Sequence, residues 1–311
     1  MKTIDIYGTL GPSLHTREAL YKMLCMGMNG VRLNLSHVDL SDCREWLDAF
    51  HQAQEQAGIQ AKLLIDMKGP ELRIGKLKEP VLLKKRQKIE LGKEIPVPVQ
   101  LLSYVKEQEQ LLLDDGRLLL EVAQVREDTL LCTVLHGGVL KSGKSVALVN
   151  GHIALPTLTE SDIRNLKVAK QYGVTGIMQP FVRHAQDLIT VKETLSSIGC
   201  PQLQVYAKIE NMEGVTHLKE LLPHCDYILI MSVFPGFAGQ SFIQSIDAKI
   251  RELISRKQEY GYRIVLDGAC SAEVIQRYHA LGVDGFVLGT SALFQGEGSY
   301  ADNMKRLRSL Q

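Results

Sequence analysis

The chain has 311 residues, 45% of them hydrophobic and 23% charged, enough to bury a full core in one large domain or two ordinary ones. Its 36 Lys and Arg against 35 Asp and Glu give a formal net charge of +1, which argues against a dedicated nucleic-acid or polybasic membrane surface. No apolar run approaches the roughly 20 residues needed to span a bilayer, and the six cysteines lack Cys-x-x-Cys or zinc-ligand spacing, so they read as buried, reduced thiols.

The N-terminal MKTIDIYGTLGP enters a strand without a signal-peptide core, which sets the expected location as cytoplasmic. Short apolar strands then alternate with helical patterns, as in a parallel α/β protein. Eight strands are predicted: Thr3–Tyr7, Gly30–Leu35, Ala61–Ile65, Gly176–Gln179, Gln204–Ile209, Tyr227–Val233, Arg263–Leu266 and Gly285–Leu288. Most run into a polar or glycine-containing end: Gly8, Asn34-Leu-Ser36, Asp66, Lys208 with Glu210, Ser232, Asp267 and Gly289. Eight such units predict an α/β fold, a (β/α)8 TIM barrel, with these residues gathered at the mouth formed by the strand C-termini. A six-stranded doubly wound sheet is the alternative, but no dinucleotide fingerprint accompanies it.

Between Ile74 and Ala154 the rhythm changes to a β-like, turn-rich pattern, with Asp115-Gly116 as a hairpin signal between two alternating runs. A small β-domain inserted after strand three is therefore expected at 76–152, with barrel segments at 1–75 and 153–311; such insertions often serve as lids. Near the other end, Tyr227-Ile-Leu-Ile-Met-Ser-Val233 breaks into Pro-Gly-Phe-Ala-Gly-Gln, and an amphipathic helix is expected from Ile243 to about Glu259. Gly236 and Gly239 allow backbone N–H groups to face an anion at a helix N-terminus. A plain strand-to-helix turn without ligand fits the same pattern.

To about Asp226 the chain resembles pyruvate kinase. The resemblance rests on Gly8-Thr-Leu-Gly-Pro12, the run ending Val-Arg-Leu-Asn-Leu-Ser-His37, and Leu-Leu-Ile-Asp-Met-Lys-Gly-Pro-Glu-Leu-Arg73. It continues through Leu-Leu-Leu-Asp-Asp-Gly116, His136-Gly-Gly138, Ile153-Ala-Leu-Pro156 and Ala207-Lys-Ile-Glu-Asn-Met-Glu-Gly214. It implies that Arg32 and Arg73 face phosphoryl oxygens and that Asn34, Ser36 and Asp66 form a site for K+. It also implies that Lys144 reaches from the lid, that Lys208 stands beside an enolate, and that Glu210 ligates a divalent metal, magnesium or manganese. The family's Arg-Gly-Asp-Leu-Gly after strand six, whose Asp is a second metal ligand, is replaced here by Met231-Ser-Val-Phe-Pro-Gly236, and Met67 stands where the family has threonine.

From Asp226 to about Phe294 the chain resembles ribulose-phosphate 3-epimerase and its phosphate-binding barrel relatives, on Met231-Ser-Val-Phe-Pro-Gly-Phe-Ala-Gly-Gln-Ser-Phe242, Ile264-Val-Leu-Asp-Gly-Ala269 and Val287-Leu-Gly-Thr-Ser-Ala-Leu-Phe294. That resemblance implies a phosphate grip by Ser232, Gly236, Phe237, Ala238, Gly239, Gly268, Ala269, Gly289 and Thr290. It also implies that Asp267 is a metal ligand and acid/base.

Together these features predict metal-assisted enolate or enediolate chemistry on a small phosphorylated carbonyl substrate, of epimerase, isomerase or aldolase type, with Lys208, Asp267 and Arg32 catalytic. A pyruvate kinase-like phosphotransferase acting on phosphoenolpyruvate and a nucleoside diphosphate is the alternative, and a non-catalytic phosphometabolite-binding protein the third. A structural ion pair for Lys208 and Glu210, and a turn role for Asp267, are the lesser alternatives. The expected partner is a small phosphorylated metabolite, not nucleic acid or membrane, with homo-oligomerisation left open.

Overall fold

A computed structural model describes residues 4–36, 38–149, 153, 155–233 and 240–288. The chain divides into two compact units, residues 1–69 with 157–311, and residues 70–156.

In the first unit eight parallel strands close into a barrel: Asp5–Leu10, Gly30–Asn34, Lys62–Asp66, Gly176–Gln179, Gln204–Lys208, Tyr227–Met231, Arg263–Asp267 and Gly285–Leu288. Each pairs with its sequence neighbour, and the last pairs with the first through Asp5 opposite Gly285. The expected TIM barrel is thus present. Strand alternation produces two apolar layers. Tyr7, Leu64, Met178, Tyr206, Tyr227, Leu229, Val265 and Val287 fill the barrel. The intervening residues, such as Ile6, Val31, Ile65, Ile177, Val205 and Ile264, face outward and pack with helix residues including Leu47, Phe50, Leu188 and Ile275. The stacked rings of Tyr206 and Tyr227, 4.0 Å between centroids, help to plug the interior.

Local chemistry sets the helix ends. Thr16, Thr159, Asn211 and Ser271 accept hydrogen bonds from backbone N–H groups of the first turns of their helices. Gly58, Gly261 and Gly282 close three helices in the left-handed conformation. The helix expected from Ile243 begins instead at Asp247 and runs to Tyr260, after a short 3-10 turn at Gln244–Ile246. Among the described residues no helix is long and apolar enough to cross a membrane.

The second unit holds a six-stranded antiparallel sheet and a two-stranded one around its own core, which includes Leu91, Leu111, Leu113, Leu120, Val122, Leu130 and Val134. Its hairpin turns at Asp114-Asp115-Gly116, with φ of 52°, 55° and 85°. The unit starts before residue 76 because Leu72–Arg73 pairs with Ser145–Leu148 inside its sheet.

Candidate active site

Inward-facing ends of four barrel strands bring Arg32, Asp66, Lys208, Glu210 and Asp267 to one mouth. Asp66 is the hub. Its carboxylate is 3% exposed, pairs with the Arg32 guanidinium, and accepts from Lys208 Nζ at 3.2 and 3.3 Å. Lys208 Nζ also lies 3.2 Å from Glu210 Oε1, so the ammonium bridges carboxylates from strand three and from just past strand five. Glu210 Oε2 accepts the Phe181 N–H at 3.2 Å, and Val182 N–H donates to the Lys208 carbonyl at 3.2 Å. The loop after strand four thereby fixes both residues. Phe181 holds φ of 53° to do so, a conformation that costs a bulky residue strain.

The charges determine one another. Burial alone would neutralise Lys208, but Asp66 and then Glu210 reverse this and hold its pKa above the ordinary lysine value. Burial likewise opposes the Arg32 charge, and Asp66, Asp267 and Glu210 together keep it above its usual value. Asp66 sits below the ordinary carboxylate range because Lys208 and Arg32 outweigh its desolvation. Asp267 moves the other way. Burial lifts its pKa, and Arg32 and Lys208 only partly pull it back. Its carboxylate has no hydrogen-bond or ion-pair partner among the described residues. The Nε of Arg32 is also buried and without a partner.

Counted as ionised, three carboxylates against two cations leave the mouth with one excess negative charge, so the donor set fits a cation. Among the described residues no three His, Cys, Asp or Glu side chains converge as a metal-ligand group. Magnesium, however, is commonly held by one or two carboxylates, with substrate oxygens and water filling the remaining positions. Asn34, Ser36 and Asp66 supply only oxygen donors, which suits K+. The Asn34 side chain already accepts the Ser36 N–H at 2.9 Å. Met67 packs in the layer between barrel and helices, so its thioether plays no part at the mouth.

On strand six Met231 stands in register with Asp267 and packs against the barrel interior, giving the mouth an apolar wall. Ser232 is fully buried; its N–H donates to the Asp267 carbonyl at 2.8 Å, and its hydroxyl contacts the Asp267 and Gly268 carbonyls. It therefore braces the turn that carries Asp267, whereas the sequence reading placed it against phosphate. Gly268 and Ala269 both take left-handed φ, 110° and 45°. A Cβ on Gly268 would meet Val233 Cγ2 at 2.6 Å. Gly236, Phe237, Ala238, Gly239, Gly289, Thr290 and His37 lie outside the described residues.

Arg73 and Lys144 belong to the smaller unit. Arg73 pairs with Glu71 at 2.5 Å and donates to the Gly143 carbonyl at 2.8 Å, while Lys144 pairs with Asp114 at 2.7 Å. Sequence reasoning missed Asp162, which accepts from the N–H of Lys68 at 3.0 Å and of Thr159 at 2.8 Å and so clasps both chain crossings of the barrel rim. The spacing Thr159-x-x-Asp162, a capping-box pattern, was the available signal. The Phe181 N–H had none, because a backbone donor leaves no mark in side-chain chemistry.

A family description, "Pyruvate kinase, barrel domain", matches residues 1–236. The chain belongs to this family. A pyruvate kinase of Chlamydia pneumoniae is 31% identical over 232 residues, which cover 71% of this chain and 48% of that protein. One from Aeropyrum pernix is 31% identical over 267 residues, covering 85% of this chain and 57% of its own length. The chain thus spans about half the length of these curated relatives. The crystal structure of Cryptosporidium parvum pyruvate kinase matches with a TM-score of 0.84 over 99% of this chain and 70% of that one; at 22% identity this speaks to the fold.

These matches correct the expectation of epimerase, isomerase or aldolase chemistry. The family match continues through strand six to residue 236, and the curated relatives are pyruvate kinases, so the findings favour the phosphotransferase alternative. The second resemblance, over 226–295, has no counterpart in these matches.

Proposed function

We propose that the barrel mouth carries out pyruvate kinase-type phosphoryl transfer between phosphoenolpyruvate and a nucleoside diphosphate. The observation that carries this reading is Lys208, a buried ammonium held charged between Asp66 and Glu210 inside a barrel of this family. An ammonium so fixed costs no reorganisation when charge develops on an enolate oxygen, which is how preorganised sites stabilise a transition state. The Arg32 guanidinium, pinned by Asp66 on one side and still 16% exposed, would donate from its accessible N–H groups to a phosphoryl oxygen.

Glu210 and Asp267 would hold a divalent ion, magnesium or manganese, and Asn34, Ser36 and Asp66 a K+. The divalent ion supplies Lewis-acid polarisation of the phosphoryl and enolate oxygens. Glu210 suits the role because each of its oxygens spends one acceptor site within the protein and keeps another. The turn at Gly268 and Ala269 and the glycine-rich segment after strand six are proposed to hold a phosphate through backbone N–H groups. A cytoplasmic location accompanies this reading, supported by six free cysteines, five of them buried.

The test is pyruvate formation from phosphoenolpyruvate and ADP with magnesium and K+ present. Turnover is expected in the wild type and should fall at least a hundredfold in Glu210→Gln and Lys208→Met, whose folds are checked by circular dichroism. Absence of turnover with every nucleoside diphosphate overturns the proposal.

A further inference from the structure

The smaller unit carries its charge unevenly. Between residues 76 and 88 stand Lys76, Lys78, Lys84, Lys85, Arg86 and Lys88 against a single acid, Glu79. None of these six cations has an ion-pair partner among the described residues. Lys84, Lys85 and Arg86 form the turn between strands Val81–Leu83 and Lys88–Leu91. The backbone fixes this turn: Gln87 N–H donates to the Lys84 carbonyl at 3.0 Å, and Arg86 N–H to the Val134 carbonyl at 2.7 Å. Arg86 adopts φ of 69°, a left-handed conformation that glycine would take without steric cost. Beside the turn, Leu82 and Val139 face each other across the two-stranded sheet, 58% and 50% exposed, while Leu83 and Leu140 on the same strands are buried.

The strand leaving this turn leads to the opposite charge. Lys88–Leu91 runs antiparallel to Leu130–His136, with Leu91 opposite Leu130, and ends at a rim carrying Glu94, Glu107, Glu109, Glu127 and Asp128. Glu107 and Glu109 accept from the N–H groups of Val125 and Lys106, and none of the five acids has a cation partner among the described residues. The helix Val99–Tyr104, just before Glu107, exposes Val99 and Tyr104. Five of the seven large exposed hydrophobics among the described residues (Leu82, Val99, Tyr104, Val139 and Val149) belong to this one unit. Apolar surface is therefore concentrated where both unpaired charge clusters lie.

We propose that the basic face of Lys84, Lys85, Arg86, Leu82 and Val139 docks on the acidic rim of a second copy of this chain, head to tail between smaller units. The charges are complementary, the rim keeping an acidic excess over its own Lys93, Lys106 and Arg126, and each face has apolar residues beside its charges. Because the two faces differ, the contact is heterologous and propagates as a ring or filament rather than closing as a two-fold dimer. Exposed charges are screened beyond a Debye length of about 8 Å at physiological ionic strength, so the contact weakens with salt. The absence of aromatic rings from the basic face disfavours single-stranded nucleic acid as its occupant.

Sedimentation velocity of the full chain at low and high salt provides the test, with two triple variants. Lys84→Glu, Lys85→Glu, Arg86→Glu reverses the basic face; Glu107→Lys, Glu127→Lys, Asp128→Lys reverses the rim. The wild type should sediment as species larger than the monomer at low salt and return to monomer at high salt. Each variant alone should stay monomeric, and an equimolar mixture of the two should associate again, because reversed face meets reversed rim. A wild type that is monomeric at low salt, variants that associate like the wild type, or a mixture without rescue overturns the proposal. So does a monomeric wild type that co-sediments with anionic vesicles or RNA.

Discussion

Asp66→Asn is the most informative perturbation of the site, because one carboxylate there answers two cations. At 3.2 Å from Lys208 Nζ, with an effective dielectric of about 20, the gross attraction is roughly 5 kcal/mol. Desolvation offsets most of this in the intact pair, yet removing one partner of a buried pair leaves the other stranded, typically at about 3–5 kcal/mol. Lys208 keeps Glu210 at 3.2 Å, and the Arg32 side chain is 16% exposed, so the lower end applies, about 3 kcal/mol. Urea denaturation should show this as a lower midpoint with an unchanged slope. In a double-mutant cycle, Lys208→Met introduced into Asp66→Asn should cost less than in the wild type. A loss below about 1 kcal/mol for Asp66→Asn, with no coupling to Lys208, would refute the claim that Asp66 organises the mouth.

Three further outcomes follow from the geometry. Gly268→Ala places a Cβ 2.6 Å from Val233 Cγ2 at φ of 110°, and should cost about 1–3 kcal/mol in urea melts, whereas Gly58→Ala, with open space at its Cβ, should cost less. Asp187, buried beside Arg183 and Thr157, has its carboxyl pushed down to about 2 against burial, chiefly by Arg183. Its contribution is present above the unfolded carboxylate pKa and lost as pH falls toward 2. Discounted for solvent screening, Asp187→Asn should therefore cost about 1–2 kcal/mol at neutral pH, and the gap from the wild type should close below about pH 4; a gap constant to pH 2 would sink that attribution. Asp162→Ala removes the acceptor for the Lys68 and Thr159 N–H groups and should lower stability by about 2–4 kcal/mol, read by thermal melting.

The barrel was legible because its strands are apolar runs with polar ends, and tertiary pairing added little that the pattern lacked: Gly176–Gln179 and Gly285–Leu288 have the predicted bounds. The helix after strand six was misplaced because Ile243 and Gln244 continue its amphipathic pattern while the backbone there is a 3-10 turn. The charged mouth was readable from residue types at strand ends, but not its hierarchy. Nothing in the sequence says that Asp66 takes both cations while Asp267 takes none among the described residues; that depends on which inward side chains neighbouring strands bring level. Ser232 was read as a phosphate ligand because a hydroxyl after a strand has the same signature whether it faces a ligand or braces a turn. The substrate class is not legible in the sequence because three loop motifs after Asp226 point to a phosphosugar while the longer stretch before it points to phosphoryl transfer.

The central claim is tested most directly by following the phosphoryl group. Phosphorus NMR of the wild-type chain with phosphoenolpyruvate, ADP, magnesium and K+ should show the phosphoenolpyruvate resonance replaced by a nucleoside triphosphate γ-phosphorus, with Lys208→Met silent over the same period. Unchanged phosphoenolpyruvate in the wild type over the same period would contradict the account.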